Sequence, residues 1–180
     1  MNAAYIPNII TALRIVGTFG LIFTKTFSPV FYIVYFFTGI TDFFDGFLAR
    51  RLKVTSEFGA KLDSIADMFF DITMIIKILP ALLLVLPVFV WYLVGAIVLM
   101  RVASYIVSAI KFHKMASLHT IMNKITGFLV FLVPFFIHTQ IGVGLCTLIC
   151  VLAIIAAVED LCINIGKKEY ATDVKTIISK

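Results

Sequence analysis

Charge is what this sequence has least of. Only 14% of its 180 residues are Asp, Glu, Lys or Arg, against about 25% in an average soluble domain. Apolar residues make up 62% where about 45–50% is usual, and the mean hydropathy is +1.10. A water-soluble globule is excluded, and the expectation is an all-α integral membrane protein forming a single domain over residues 1–180. Cysteine is also scarce. Cys146, Cys150 and Cys162 all fall in the last apolar stretch with no C-x-x-C pair, and two at i, i+4 on a membrane helix read as packing or lipid-facing residues. His113 and His119 form no metal cluster with anything near them in sequence. No internal repeat stands out, which speaks against a transporter built from inverted repeats. The net charge of +5 is not a nucleic-acid footprint, because the basic residues sit at the ends of apolar runs, where membrane topology is written. No cleavable signal peptide is expected, since polar residues interrupt the first apolar run early.

A bilayer core of about 30 Å needs about 20 apolar residues in a helix. That ruler gives about six transmembrane helices, over residues 9–23, 30–50, 57–79, 88–111, 125–137 and 141–165. Residues 80–87 read as a turn bounded by prolines, residues 113–123 as a polar loop, and Pro134 as a kink in the fifth span. The opening MNAAYIPN reads as a short N-terminal interfacial segment lying on the membrane surface. Arg50, Arg51 and Lys53 flank the second-to-third connection; Lys111, Lys114 and Lys124 flank the fourth-to-fifth; Lys167, Lys168, Lys175 and Lys180 fill the tail. The other side carries Lys25 and Lys77. The positive-inside rule then places both termini and the intervening basic turns in the cytoplasm, of a bacterial plasma membrane given the small size.

What acid there is concentrates in one place. Four aspartates, Asp42, Asp45, Asp63 and Asp67, and Glu57 put five of the ten acidic residues within 26 positions, with Asp71 close by and acids expected nowhere else across the membrane depth. An aspartate at the centre of a membrane helix costs roughly 2.5–3.5 kcal/mol on insertion scales. Asp42 and Asp45 are i, i+3, and Asp63 and Asp67 are i, i+4, so each pair shares a helical face. Like charges at that spacing repel unless a cation compensates. Two facing pairs make an all-oxygen cage that suits Mg²⁺ or Mn²⁺, and four carboxylates can hold two such ions in the geometry of phosphoryl chemistry. Gly46, Ala49 and Gly59 are small enough to let a ligand or another backbone approach, and Arg50 can pair bidentately with a phosphate.

The stretch reads Asp42-x2-Asp45-Gly46-x2-Ala49-Arg50-x8-Gly59-x3-Asp63-x3-Asp67. It resembles, at all eight fixed positions, the signature of the CDP-alcohol phosphotransferases. The opening IPNIITALRI is similar to that of the bacterial branch making phosphatidylglycerol phosphate, with Asn8, Thr11 and Arg14 matching positions near the nucleotide pocket. Ser56 sits where the family often has Thr or Ser. The resemblance implies two divalent ions, Mg²⁺ or Mn²⁺, on Asp42, Asp45, Asp63 and Asp67. It implies that CDP-diacylglycerol binds along Asn8, Thr11, Gly46, Ala49, Arg50, Ser56 and Gly59, that Asp67 is the general base on the acceptor hydroxyl, and that the protein is a homodimer.

An anionic acceptor needs cations near the ions. Lys61 lies within the signature; Arg101 lies inside the fourth span, where an arginine marks a functional site by default; Lys111 and Lys124, with His119 and Asn123, flank the fourth-to-fifth turn. These form the candidate acceptor site, with glycerol 3-phosphate the expected acceptor. The segment KFHKMASLHTIMNKITG departs from the phosphatidylglycerol-phosphate branch: Val102 follows Arg101 where that branch has Glu. Serine, inositol phosphate and phosphatidylglycerol therefore stay open as acceptors. Outside this chemistry stand a membrane cation transporter using the aspartate cage and a non-catalytic lipid-binding relative; within the family, the rival is an enzyme using soluble CDP-choline or CDP-ethanolamine with diacylglycerol as acceptor.

Overall fold

A computed structural model describes residues 6–52, 57–112 and 121–166, with side chains over 9–41, 59, 61–111 and 121–166. Every regular element among the described residues is a helix: α1 (Ile6–Phe23), α2 (Pro29–Leu52), α3 (Glu57–Val85), α4 (Val88–Phe112), α5 (Ile121–Phe136) and α6 (Gly142–Gly166). Three stretches, Lys61–Val85, Val88–Lys111 and Gly142–Gly166, are long and apolar enough to cross a membrane. Ile9–Phe23, Pro29–Thr41 and Ile121–Phe136 are apolar but shorter. The membrane reading therefore stands, while the count of six crossings is the sequence expectation and not a structural result. Large apolar side chains such as Leu84, Phe23, Tyr92 and Ile110 are exposed, as lipid-facing residues would be.

Several boundaries differ from expectation. Pro80 lies inside α3, which continues to Val85, so only Leu86 and Pro87 separate α3 from α4. A proline is tolerated inside a membrane helix because neighbouring groups take up the freed carbonyl. Helix α5 begins at Ile121, shortening the expected loop. At the N-terminus, residues 6–8 belong to α1, with Pro7 in the first turn, where its missing N–H costs nothing; the rest of the expected interfacial segment lies outside the described residues.

The chain forms two compact units, residues 1–83 and 84–180. In the first, α1 packs on α2. The approach is close at Gly17, where an added Cβ would overlap Thr38 Oγ1. The α1–α2 turn is built by its own polar groups. Ser28 Oγ accepts from the Phe31 N–H at 3.1 Å, an N-cap followed by Pro29 at the first helical position. Phe27 takes the left-handed conformation that reverses the chain (φ 63°). Lys77, from α3, donates to the Thr24 carbonyl at 2.7 Å, placing a cation at the negative end of α1, and its ammonium lies 6.0 Å from the Phe31 ring centroid. Phe31 stacks on Tyr35 and Tyr35 on Phe70, both with centroids 5.8 Å apart, which ties α2 to α3. Hydroxyls inside the helices bond their own turn, as Thr18 does to the Arg14 carbonyl and Thr73 to the Phe69 carbonyl, each at 2.8 Å, so no polar group need face lipid.

In the second unit, α6 packs against both α4 and α5. Its buried Ala153, Ala156 and Ala157 are small residues at i, i+3 and i+4, which lets helices approach closely. Contacts climb both helices together: Arg101 reaches Asp160, Ser104 meets Asn164, and Lys111 meets the carbonyls of Asn164 and Ile165. Helices α4 and α6 thus run parallel. The α5–α6 turn closes at Gly142, where a Cβ would lie 2.5 Å from the Phe136 carbonyl oxygen and 2.7 Å from that of Ile137. Only glycine fits there.

Candidate active site

Asp63 and Asp67 stand one turn apart at the start of the apolar part of α3. Ala66 between them is fully buried and turns their shared face toward α1. There lies Arg14, the largest enclosed side chain among the described residues, at 1% exposure. A buried guanidinium is tolerable only when paired, and α3 supplies the pairing. Arg14 Nη1 donates to Asp63 Oδ1 at 3.1 Å and also to Asp67 Oδ1. One nitrogen thus holds both carboxylates, and their Oδ1 atoms converge on one cationic point. The carboxylates are 41% and 47% exposed, so the cation is inside and the acids face outward from it. Thr11 and Thr18, also buried, continue the polar face of α1 one turn to either side of Arg14.

The other half of the expected cage stands on α2. Asp42 and Asp45 fall one turn apart within the helix, as do Gly46, Ala49 and Arg50 near its end; their side chains lie outside the described residues. Asn8 is in the first turn of α1 with its side chain likewise outside, Gly59 is in the first turn of α3, and Ser56 lies wholly outside the described residues. Among the described residues no three His, Cys, Asp or Glu form a metal-binding group, so the described half of the cage is the Asp63–Asp67 pair. Its chemistry fits a hard cation: two carboxylate oxygens already converge on a single positive group.

The expected acceptor residues fall in both units, Lys61 in the first and Arg101, Lys111 and Lys124 in the second. Lys61 is exposed on the first turns of α3 and Lys124 is exposed in the first turn of α5. Lys111, in the last turn of α4, donates to the carbonyls of Asn164 and Ile165 at 3.1 and 2.6 Å, capping the end of α6. Arg101 is built into a triad. Its Nη1 donates to Asp160 Oδ2 at 3.0 Å and its Nη2 to Asn123 Oδ1 at 2.6 Å, while Asn123 Nδ2 donates to both Asp160 oxygens at 3.2 and 3.0 Å. One residue from each of α4, α5 and α6 meets there. Just beyond it, Asn164 Nδ2 donates to Ser104 Oγ at 2.9 Å.

This corrects the expectation that acids are confined to the neighbourhood of the signature. Glu159 and Asp160 sit inside the third long apolar stretch, with Asp160 buried at 4%. Two signals pointed to it: an acidic pair in an otherwise apolar span, which is expensive unless partnered, and the polar stripe Arg101, Ser104, Ser108, Lys111 at i, i+3, i+7 and i+10 on α4.

Residues 4–158 match the family described as CDP-alcohol phosphatidyltransferase, a region that contains all four aspartates of the signature. The chain belongs to this family. Curated relatives include CDP-diacylglycerol–glycerol-3-phosphate 3-phosphatidyltransferases of Cereibacter sphaeroides, 46% identical over 68 residues, and of Yersinia enterocolitica, 48% identical over 67 residues. An Arabidopsis thaliana CDP-diacylglycerol–inositol 3-phosphatidyltransferase 1 is 39% identical over 66 residues. These alignments cover 34%, 34% and 35% of this chain and 31%, 37% and 28% of the respective relatives, so the chain spans about a third of the length of the curated proteins it matches. No solved structure matches. Asp160 and Asn164 lie past the end of the family match.

Proposed function

We propose that this family member transfers the phosphatidyl group of CDP-diacylglycerol to an alcohol, with glycerol 3-phosphate as acceptor, in membrane phospholipid synthesis. The observation that carries the reading is the convergence of Asp63 and Asp67 on one cation, in a chain whose family membership rests on the region containing both. The acceptor hydroxyl oxygen forms a bond to the phosphatidyl phosphorus, the bond from that phosphorus to the CMP oxygen breaks, and CMP leaves. Asp67, nearly half exposed, takes the hydroxyl proton. Asp42, Asp45, Asp63 and Asp67 would hold two Mg²⁺ or Mn²⁺ ions, whose charge neutralises the diphosphate and the departing CMP. Thr11, Gly46, Ala49, Arg50, Ser56 and Gly59, with Asn8, line the CDP side.

In the same reading the protein crosses a bacterial plasma membrane six times, keeps both termini and the site in the cytoplasm, and works as a homodimer. The relatives named for glycerol 3-phosphate support that acceptor, as do the exposed Lys61 and Lys124. The inositol relative and the engagement of Arg101 by Asp160 keep inositol phosphate, serine and phosphatidylglycerol in the assay.

The test is CMP release by the purified protein from CDP-diacylglycerol with Mg²⁺ or Mn²⁺ and each acceptor in turn. Release with glycerol 3-phosphate is the expected result. Release with another acceptor alone would replace the acceptor and keep the chemistry. No release with any acceptor, together with cation flux in proteoliposomes, would replace the enzyme by a transporter.

A further inference from the structure

We infer that Arg14 is a resident counter-ion of the metal site: it holds the Asp63–Asp67 pair together without metal and weakens divalent-ion binding when metal is present. This rests on the reading that Asp63 and Asp67 are metal ligands. The two carboxylates repel at i, i+4, and one Arg14 nitrogen bonds an oxygen of each. The oxygens Arg14 occupies are among those an ion would use.

The guanidinium is poorly placed to leave. It is 1% exposed, its own carbonyl is engaged by Thr18 at 2.8 Å, and one turn on, Gly17 brings α1 against Thr38 without room for a methyl group. The side chain is enclosed where α1 lies close against α2. A divalent ion arriving at the carboxylates therefore meets a fixed positive charge about one hydrogen-bond length beyond them. The guanidinium is itself buried, so repulsion between it and the ion is screened less than between two exposed charges. The free energy that Arg14 gives the metal-free fold is withdrawn from ion binding, and by linkage an ion recovers it as stabilisation when Arg14 is absent.

The test uses the full chain in detergent, with Mn²⁺ as probe, read by the electron paramagnetic resonance signal of free Mn²⁺ and by thermal unfolding with and without the ion. Arg14→Gln is expected to lower the Tm of the metal-free protein, to enlarge the rise in Tm that Mn²⁺ produces, and to tighten Mn²⁺ binding about tenfold. Arg14→Lys keeps the charge and is expected to bind Mn²⁺ within about threefold of wild type. Folded Arg14→Gln with unchanged or weaker Mn²⁺ affinity would overturn the inference. If Arg14→Gln does not fold, Arg14→Lys decides: loss of metal-free stability with an affinity gain as large as a full loss of charge would predict also overturns it. If wild type binds Mn²⁺ no better than Asp63→Asn/Asp67→Asn, the metal reading itself fails, an outcome distinct from the first two because Arg14 plays no part in that comparison.

Discussion

Removing Asp160 tests the second polar centre most directly. The Asp160 carboxylate is 5% exposed and takes bonds from Arg101 and Asn123; Arg101 is 27% exposed. Asp160→Ala leaves a guanidinium and an amide with their shared acceptor gone. Breaking a buried ion pair by removing one partner costs about 3–5 kcal/mol, whereas an interhelical hydrogen bond in a membrane averages about 0.6 kcal/mol. Arg101 keeps some access to polar surroundings and retains Asn123 Oδ1, so the loss should fall between those limits, at about 2–3 kcal/mol. Arg101→Ala should cost a similar amount, because it strands the carboxylate. The double variant should then cost less than the two singles added, with a coupling of about 1–2 kcal/mol. The assay is equilibrium unfolding in mixed micelles for wild type, the two single variants and the double. Strict additivity would show that the two groups do not interact in the folded protein and would refute the triad.

Other substitutions probe features just as local. Gly142→Ala forces a methyl group against two backbone carbonyls at the α5–α6 turn, and should cost about 1–3 kcal/mol, read as a lower Tm. Lys77→Met removes the donor to the Thr24 carbonyl and the cation beside Phe31, and should cost about 1–2 kcal/mol in the same measurement; an unchanged Tm would show that the carbonyl finds another donor. Asp67→Asn should abolish CMP release while CDP-diacylglycerol binding is largely kept. Wild-type turnover in that variant would remove Asp67 as the base.

The helices were legible because apolar runs of the right length leave little else for a chain to form in lipid. The errors lie where local rules compete. Pro80 reads as a breaker in water and sits inside α3 here. The polar residues before Ile125 read as loop, yet Ile121, Met122 and Asn123 already belong to α5, and Asn123 is what joins the triad. The Asp63–Asp67 face followed from spacing alone. Its pairing with Arg14 did not, because a contact between residues 49 positions apart leaves no local period. Asp160 was overlooked for a related reason: apart from Glu159 its neighbours in sequence are apolar, and its partners come from two other helices.

The parallel course of α4 and α6 bears on how the protein is inserted. In the proposed six-span topology, two parallel spans finish at the same membrane face, and the chain between them returns to the other. In that topology the return falls to α5, whose 16 residues reach about 24 Å at 1.5 Å per residue, short of the about 30 Å of a bilayer core. In the proposed orientation, Lys111 at the close of α4 and the lysines written after α6 share the cytoplasmic side. Stripping positive charge from either exit alone should leave the other to retain it, and inversion should require both.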